Sequence, residues 1–256
     1  MKWKKMTSAN VYQIKRDETS AAEWQARIDL AATHRLSVHY GWGNLIYNHI
    51  ALRVPDQPEY FLIKPHDLMF EEVTASNLLK LRMDGQPVGW ESNVNAAGFT
   101  IHTSMLNARP DLACTLHVHT KVGMAMSAHG GGLLPMTQGS MRFYNRISYH
   151  DYEGISTDID EAKRLAVDLG PKNKAMILRN HGLVTAGTSC SEALSLMRYL
   201  IASCETQLML EATGCKIIIP SPEICEHAAR QWELQGGEDW DAYIRTADRI
   251  DQSYRD

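Results

Sequence analysis

The chain predicts an α/β fold in which helices pack around a mixed, largely antiparallel sheet. Strand-like apolar runs do not alternate strictly with helical segments, and several strands follow one another across a turn alone, which suits hairpins better than a doubly wound parallel sheet. Neither a Gly-x-Gly-x-x-Gly fingerprint nor a P-loop occurs, so no nucleotide cofactor is indicated. With 256 residues and 44% apolar side chains the chain can bury one sizeable core. No Gly/Ser/Pro-rich linker or internal repeat divides it. The expectation is a polar, loosely held tail over residues 1–18 and a single domain over 19–256.

Ser20 caps a helix predicted over 21–39, where Trp24, Ile28, Ala31, Ala32 and Leu36 recur at helical spacing. Asn48 to Arg53 reads as a strand, and Phe61 to Ile63 as a second one stopped by Pro65. Thr74 is expected to cap a short helix carrying Leu78 and Leu79, and Asp84-Gly85 to form a tight turn. A helix over 100–107 ends at the Arg109-Pro110 step. The apolar run Leu112 to His119 reads as a buried strand, with a Met/Ala-rich helix over 121–128 after it. Residues 129–157 form loops with short strands, and a helix over 158–169 ends near Gly170-Pro171. Ala175 to Leu178 is a further strand, giving way to a turn at Gly182. The longest helix, over 189–213, starts near Ser189 and stops at Gly214, and two more helices follow Pro222 and Gly237.

A net charge of −4 without Lys/Arg blocks argues against nucleic acid as a partner. No apolar run approaches the roughly 20 residues that span a bilayer, and Met-Lys-Trp-Lys-Lys lacks the apolar centre of a signal peptide. Five cysteines, an odd number without paired spacing, suit reduced thiols in a cytoplasm. A small molecule is therefore the expected partner, and cytoplasm the expected compartment.

The chemistry concentrates in histidines. Alternation along the strand ending in His117-Val-His119 points both imidazoles to one side, and His181 lies in an Asn-His-Gly-Leu turn after a second strand. Three neutral imidazoles meeting from two strand ends make an open site for a divalent metal: zinc foremost, with iron(II) or manganese as alternatives.

The chain resembles the class II aldolase/adducin family, its adducin-like branch above all. The resemblance is carried by Gly41-Trp-Gly-Asn44, Tyr47-Asn-His-Ile50, Phe61-Leu-Ile-Lys-Pro65, Glu71-Glu-Val-Thr-Ala-Ser76, Gly98-Phe99 with His102, Ala108-Arg-Pro-Asp111, Leu116-His-Val-His-Thr120, Tyr149-His-Asp-Tyr-Glu-Gly154 and Ile177-Leu-Arg-Asn-His-Gly-Leu183. These motifs stand in the family's order over roughly residues 20–215. The resemblance implies a three-layer α/β/α sandwich, His117, His119 and His181 as metal ligands, and a homotetramer with sites near subunit interfaces. It also implies a tyrosine reaching a neighbour's site from the C-terminal tail, a region where Tyr243 and Tyr254 lie without a residue-level match.

Three positions depart from the sugar-phosphate aldolases that the chain resembles. Gly98 stands where they carry an acid/base carboxylate, four residues before His102. Lys64-Pro-His-Asp67 replaces their phosphate loop, and their tyrosine beyond the metal pair falls near Gln138-Gly139, with no tyrosine aligned here. Candidate proton-transfer groups are Asp151, Tyr152 and His102. His102 is read as a support for the ligands, a fourth ligand, or a helix-end histidine bonded to backbone. Candidate substrate contacts are Asn44, Lys64, His66 and Gln138, with Arg142 and Tyr144 as further pocket candidates. His49 and Arg53 share a strand face, where packing or ion pairing is expected.

A metal-dependent lyase that breaks a carbon–carbon bond beside a carbonyl or carboxylate, by aldol cleavage or decarboxylation, is the leading expectation. The alternatives are a non-haem iron oxygenase on the same scaffold and a non-catalytic, adducin-head-like interaction domain.

Overall fold

The computed structural model describes residues 13–84, 94–156, 158–234 and 239–256. Within them lies one seven-stranded sheet. Its strands are β1 (His49–Val54), β2 (Gln57–Ile63), β3 (Leu79–Arg82), β4 (Cys114–Val118), β5 (Ile147–His150), β6 (Ala175–Leu178) and β7 (Gly182–Gly187), in the order β3-β2-β1-β4-β7-β6-β5. Every neighbouring pair is antiparallel except β5 and β6, whose parallel pairing needs a crossover. The mixed, largely antiparallel sheet expected from the sequence is present.

Strand alternation sorts the side chains into two cores. Leu116 and Val118 of β4, with Ile50 and Leu52 of β1, meet one set of helices: α1 (Ala21–His39), α6 (Cys190–Ala212) and α8 (Trp240–Ile250). Ala51, Phe61, Met176 and Val184 face the other way, onto Ile101 and Met105 of α2 (Ala96–Ala108) and Leu165 and Leu169 of α5 (Ile159–Leu169). Helices therefore cover both faces and the α/β/α sandwich follows. Three shorter elements complete it: α3 (Lys121–Ser127), the single turn α4 (Gln138–Met141), and α7 (Pro222–Glu233), which packs on α4.

α1 begins where the sequence placed it, with the Ser20 hydroxyl accepting from Glu23 N at 3.0 Å. Arg27, fully buried, fastens this helix to the start of β3 by donating to the carbonyls of Ala75 and Leu78, and its charge is met by Glu23 at 2.9 Å. The last residues close against the same place. Tyr254 is buried, and its carbonyl accepts from Ala75 N.

The structure corrects three sequence expectations. Leu79 lies in an edge strand rather than a helix: Leu79 and Leu81 alternate inward against β2, and Asn77 turns the chain by accepting from Thr74 N at 3.0 Å. α2 starts four residues before the predicted onset, because the Asn95 side chain caps it through Ala97 N and Gly98 N. The turn between β6 and β7 falls on Arg179–His181, with Asn180 in the left-handed region at φ 56°, and Gly182 opens β7 instead. The predicted Asp84-Gly85 turn and most of the 1–18 tail lie outside the described residues. Within that tail, Arg16–Glu18 forms a 3-10 turn and Ile14 N donates to Ser76 O.

Candidate metal centre

β4 carries His117 on the same face as Thr115 and stops one residue before His119. The β4–β7 ladder sets His117 opposite Val184 and Val118 opposite Leu183, so the loop holding His181 lies against the end of β4. Here the three imidazoles meet. His119 Nε2 is 2.8 Å from His117 Nε2 and 2.9 Å from His181 Nε2, and the ligating atoms of all three lie within 4.8 Å of one another. Only glycine fits at position 182. A Cβ there would stand 2.7 Å from the Val118 carbonyl oxygen and 3.1 Å from the His119 ring.

The electronic state of the rings suits a cation. His117 Nδ1 bonds the Leu183 carbonyl at 3.0 Å, so Nδ1 carries the proton and the Nε2 lone pair is left for a ligand. Burial, then the neighbouring rings His119 and His181, hold His117 well below the ordinary histidine value. Burial and then His181 lower His119 to about 4, and burial lowers His181. Metal ligands must be deprotonated, and these three are neutral near pH 7. Three neutral nitrogens this close cannot all satisfy one another with protons; a divalent ion would engage all three lone pairs. His117 is buried while His119 and His181 are partly exposed, leaving one side open for substrate oxygens or water. The residues present fit the group.

A second histidine cluster backs the first. His49 is paired across the ladder with His117, their ring centroids 4.9 Å apart. His49 Nδ1 is 2.8 Å from His102 Nε2, and His102 Nδ1 is 2.7 Å from Thr115 Oγ1. His102 thus has both ring nitrogens engaged by side chains rather than by backbone. It reaches the trio only through His49. Nor does Arg53 ion-pair among the described residues; it donates to the carbonyls of Pro58, Leu106 and Leu112.

The missing carboxylate now has a steric counterpart. A Cβ on Gly98 would stand 2.9 to 3.1 Å from the His49 ring. His49 thus occupies the room through which any side chain at position 98 would pass. Gly98→Ala is expected to destabilise the protein by about 1–2 kcal/mol, because overpacking outweighs the helix preference for alanine. In a His49→Ala background the same change should become neutral or stabilising. Urea denaturation of the four proteins measures the coupling, and simple additivity would show that the two sites do not compete for space.

The remaining predicted residues fall in different places. Asp151 and Tyr152, both exposed, line a space of about 10 Å³ that also touches His181. Lys64 does not present a free ammonium: it is 3% exposed, and Nζ donates to the carbonyls of Ile46, Pro65, His66 and Leu68. Burial lowers it to about 8. It organises the loops carrying Asn44 and His66, which are half-buried, the latter edge-on to Tyr47 at 6.4 Å. Gln138 is exposed at the α4–α7 contact, where its carbonyl accepts from Trp232 Nε1, and the structure does not bring it to the histidines. Asn48 was missed. Buried, it accepts from His119 N at 3.2 Å and donates to the Trp42 carbonyl at 2.6 Å, fixing the end of β4.

Comparison with known proteins decides the family. The Class II Aldolase and Adducin N-terminal domain matches residues 28–208. The chain belongs to this family. Alpha-adducin of Rattus norvegicus is 45% identical over 191 residues, which make up 73% of this chain and 26% of that protein. Among solved structures, an aldolase II superfamily protein from Pseudomonas syringae superposes with a TM-score of 0.89 at 40% identity, covering 94% of this chain and 99% of that one. The L-fuculose 1-phosphate aldolase of Glaciozyma antarctica superposes with a TM-score of 0.81 at 27% identity, covering 99% and 97%. The mixed sheet and its flanking helices are thus the class II aldolase fold.

Proposed function

We propose that this chain is a metal-dependent lyase that cleaves a carbon–carbon bond next to a carbonyl or carboxylate of a small substrate. The observation that carries the proposal is the convergence of three neutral imidazole nitrogens on an open notch, in a family member similar along its length to an L-fuculose 1-phosphate aldolase. We assign zinc to the site, a homotetramer as the working assembly and the cytoplasm as its compartment.

His117, His119 and His181 would hold the ion. When bound, a divalent ion supplies a Lewis acid that polarises a carbonyl and stabilises the charge gathering on its oxygen as the adjacent bond breaks. The protein's own groups do the rest. The Leu183 carbonyl keeps His117 in the ligating tautomer. Asn48 holds the His119 backbone, and the His49–His102–Thr115 chain sets the pocket wall behind His117. We assign the proton exchange to Asp151 and Tyr152, which line a small space with His181, and the substrate contacts to Asn44 and His66. Retro-aldol cleavage needs a base for the substrate hydroxyl and then an acid for the carbanion; decarboxylation needs only the acid. A glycine at position 98, with no carboxylate there, favours decarboxylation.

The test is to load the protein with zinc, manganese or iron(II) and offer keto-acids, hydroxy-aromatic acids and ketoses. Release of carbon dioxide or an aldehyde, lost in Tyr152→Phe or Asp151→Asn by at least tenfold, is the expected result. No turnover with any ion would overturn the reading, and substrate-dependent oxygen uptake after anaerobic iron loading would replace it with an oxygenase. The 45% identity to alpha-adducin favours a second reading, a non-catalytic interaction domain. Saturable co-sedimentation with actin by a protein without turnover is the result that would select it.

A further inference from the structure

β5 and β6 end beside the histidine trio, and at their other ends lies a cleft that the metal centre does not use. It encloses about 590 Å³ between the starts of these strands and the helices α6 and α7, within the size range of small-molecule pockets. Its wall carries five cationic side chains and three carboxylates. Each carboxylate is already paired: Glu192 with Lys174 at 2.6 Å, and Glu226 and Glu233 on the shared Arg146 at 2.8 and 2.5 Å, so the five cations and three carboxylates leave the wall net positive. Arg142, Lys172 and Arg230 remain, and among the described residues none of them has a carboxylate within 4.0 Å.

Arg142 is the telling residue. It is only 9% exposed, yet among the described residues its one hydrogen bond to a side chain is from Nη1 to the Ser195 hydroxyl at 3.2 Å. Its guanidinium otherwise faces the rings of Tyr199 and Trp232, 5.3 Å from each centroid. Buried charges are ordinarily paired, and a guanidinium offers a planar fork of donors matched to phosphoryl oxygens. Lys172 and Arg230, both exposed, stand at the mouth of the same cleft.

We propose that this cleft is a second ligand site, one that takes a small molecule bearing a phosphoryl group. Arg142 receives the phosphoryl oxygens, Lys172 and Arg230 close over them, and Trp232 gives the organic part an apolar wall. The site is separate from the metal centre and does not depend on the lyase reading.

The experiment is calorimetric titration of the full chain, as isolated, with inorganic phosphate at constant ionic strength, with malonate as a carboxylate control. Saturable binding of phosphate, tighter than malonate, is expected. The double variant Lys172→Gln/Arg230→Gln, which alters exposed side chains only, should weaken it at least tenfold, and Arg142→Gln should abolish it. His119→Ala should leave it within twofold. Absence of saturable heat, or an unchanged affinity in the exposed double variant, overturns the proposal whether or not Arg142→Gln folds. Loss of binding in His119→Ala would place the phosphate at the histidines, and tighter binding of malonate would reject the phosphoryl assignment.

Discussion

His119→Ala is expected to abolish the stabilisation of the protein by divalent ions. His119 is the central ring of the trio, the one whose Nε2 approaches both partners. A ligand that binds only the native state raises stability by about 4 kcal/mol at a concentration 1,000 times its Kd. For a chain of this size that is a Tm increase of about 8–16 °C. The variant should show none of it, and its zinc affinity should fall by more than the roughly 10–100-fold that loss of a supporting partner costs. Without metal the sign reverses: removing the middle ring relieves the crowding of three neutral nitrogens, so the metal-free variant should be no less stable than the metal-free wild type. Thermal scans with and without zinc, after chelation, separate these effects. A zinc-induced shift that survives in His119→Ala would show that the ion is held elsewhere.

How far the sequence carried the reading depended on the range of each interaction. His117 and His119 were legible because strand alternation is local, and His181 because an Asn-His-Gly turn follows its own apolar run. The Ser20 cap and a helix start near Ser189 were legible for the same reason, each hydroxyl acting within three residues of itself. The failures are contacts that close over many residues. Leu79 and Leu81 fit either a short helix or a strand until β2 is beside them. His49 reads in sequence as packing or ion pairing because its partners, Gly98 and His102, come from a helix some fifty residues on. Lys64 suggested a charge offered to substrate because lysine is seldom buried, and four carbonyls converging from two loops are invisible in a one-dimensional pattern. Arg142 stands among the pocket candidates in sequence, but its burial beside two aromatic rings, with no carboxylate in contact among the described residues, has no one-dimensional signal.

Those buried histidines also set the acid limit of the fold. Burial lowers both His34 and His102 to about 3, against about 6.5 in an unfolded chain. The unfolded state therefore takes up their protons first as the pH falls. The stability they permit is complete above about pH 6.5 and is lost progressively between there and pH 3. At pH 5 each costs about 2 kcal/mol, so the pair removes about 4 kcal/mol from a total that is ordinarily 5–15 kcal/mol. His49 and His117, held well below the ordinary value by burial and by their neighbours, act in the same direction. Urea denaturation of metal-free protein should show stability falling by at least about 2–3 kcal/mol per pH unit below pH 6. His34 isolates the effect, since it lies in α1 away from the metal trio, with Nδ1 on the Leu30 carbonyl and a buried Nε2 that finds no partner among the described residues. His34→Leu removes one titrating group and one unsatisfied nitrogen, and it should flatten the dependence by about 1.4 kcal/mol per pH unit. Relative to wild type the variant then gains as the solution is acidified. A profile that stays flat from pH 7 to pH 5 would mean that these rings already carry protons in the folded protein, and that the interior is wetter than their burial implies.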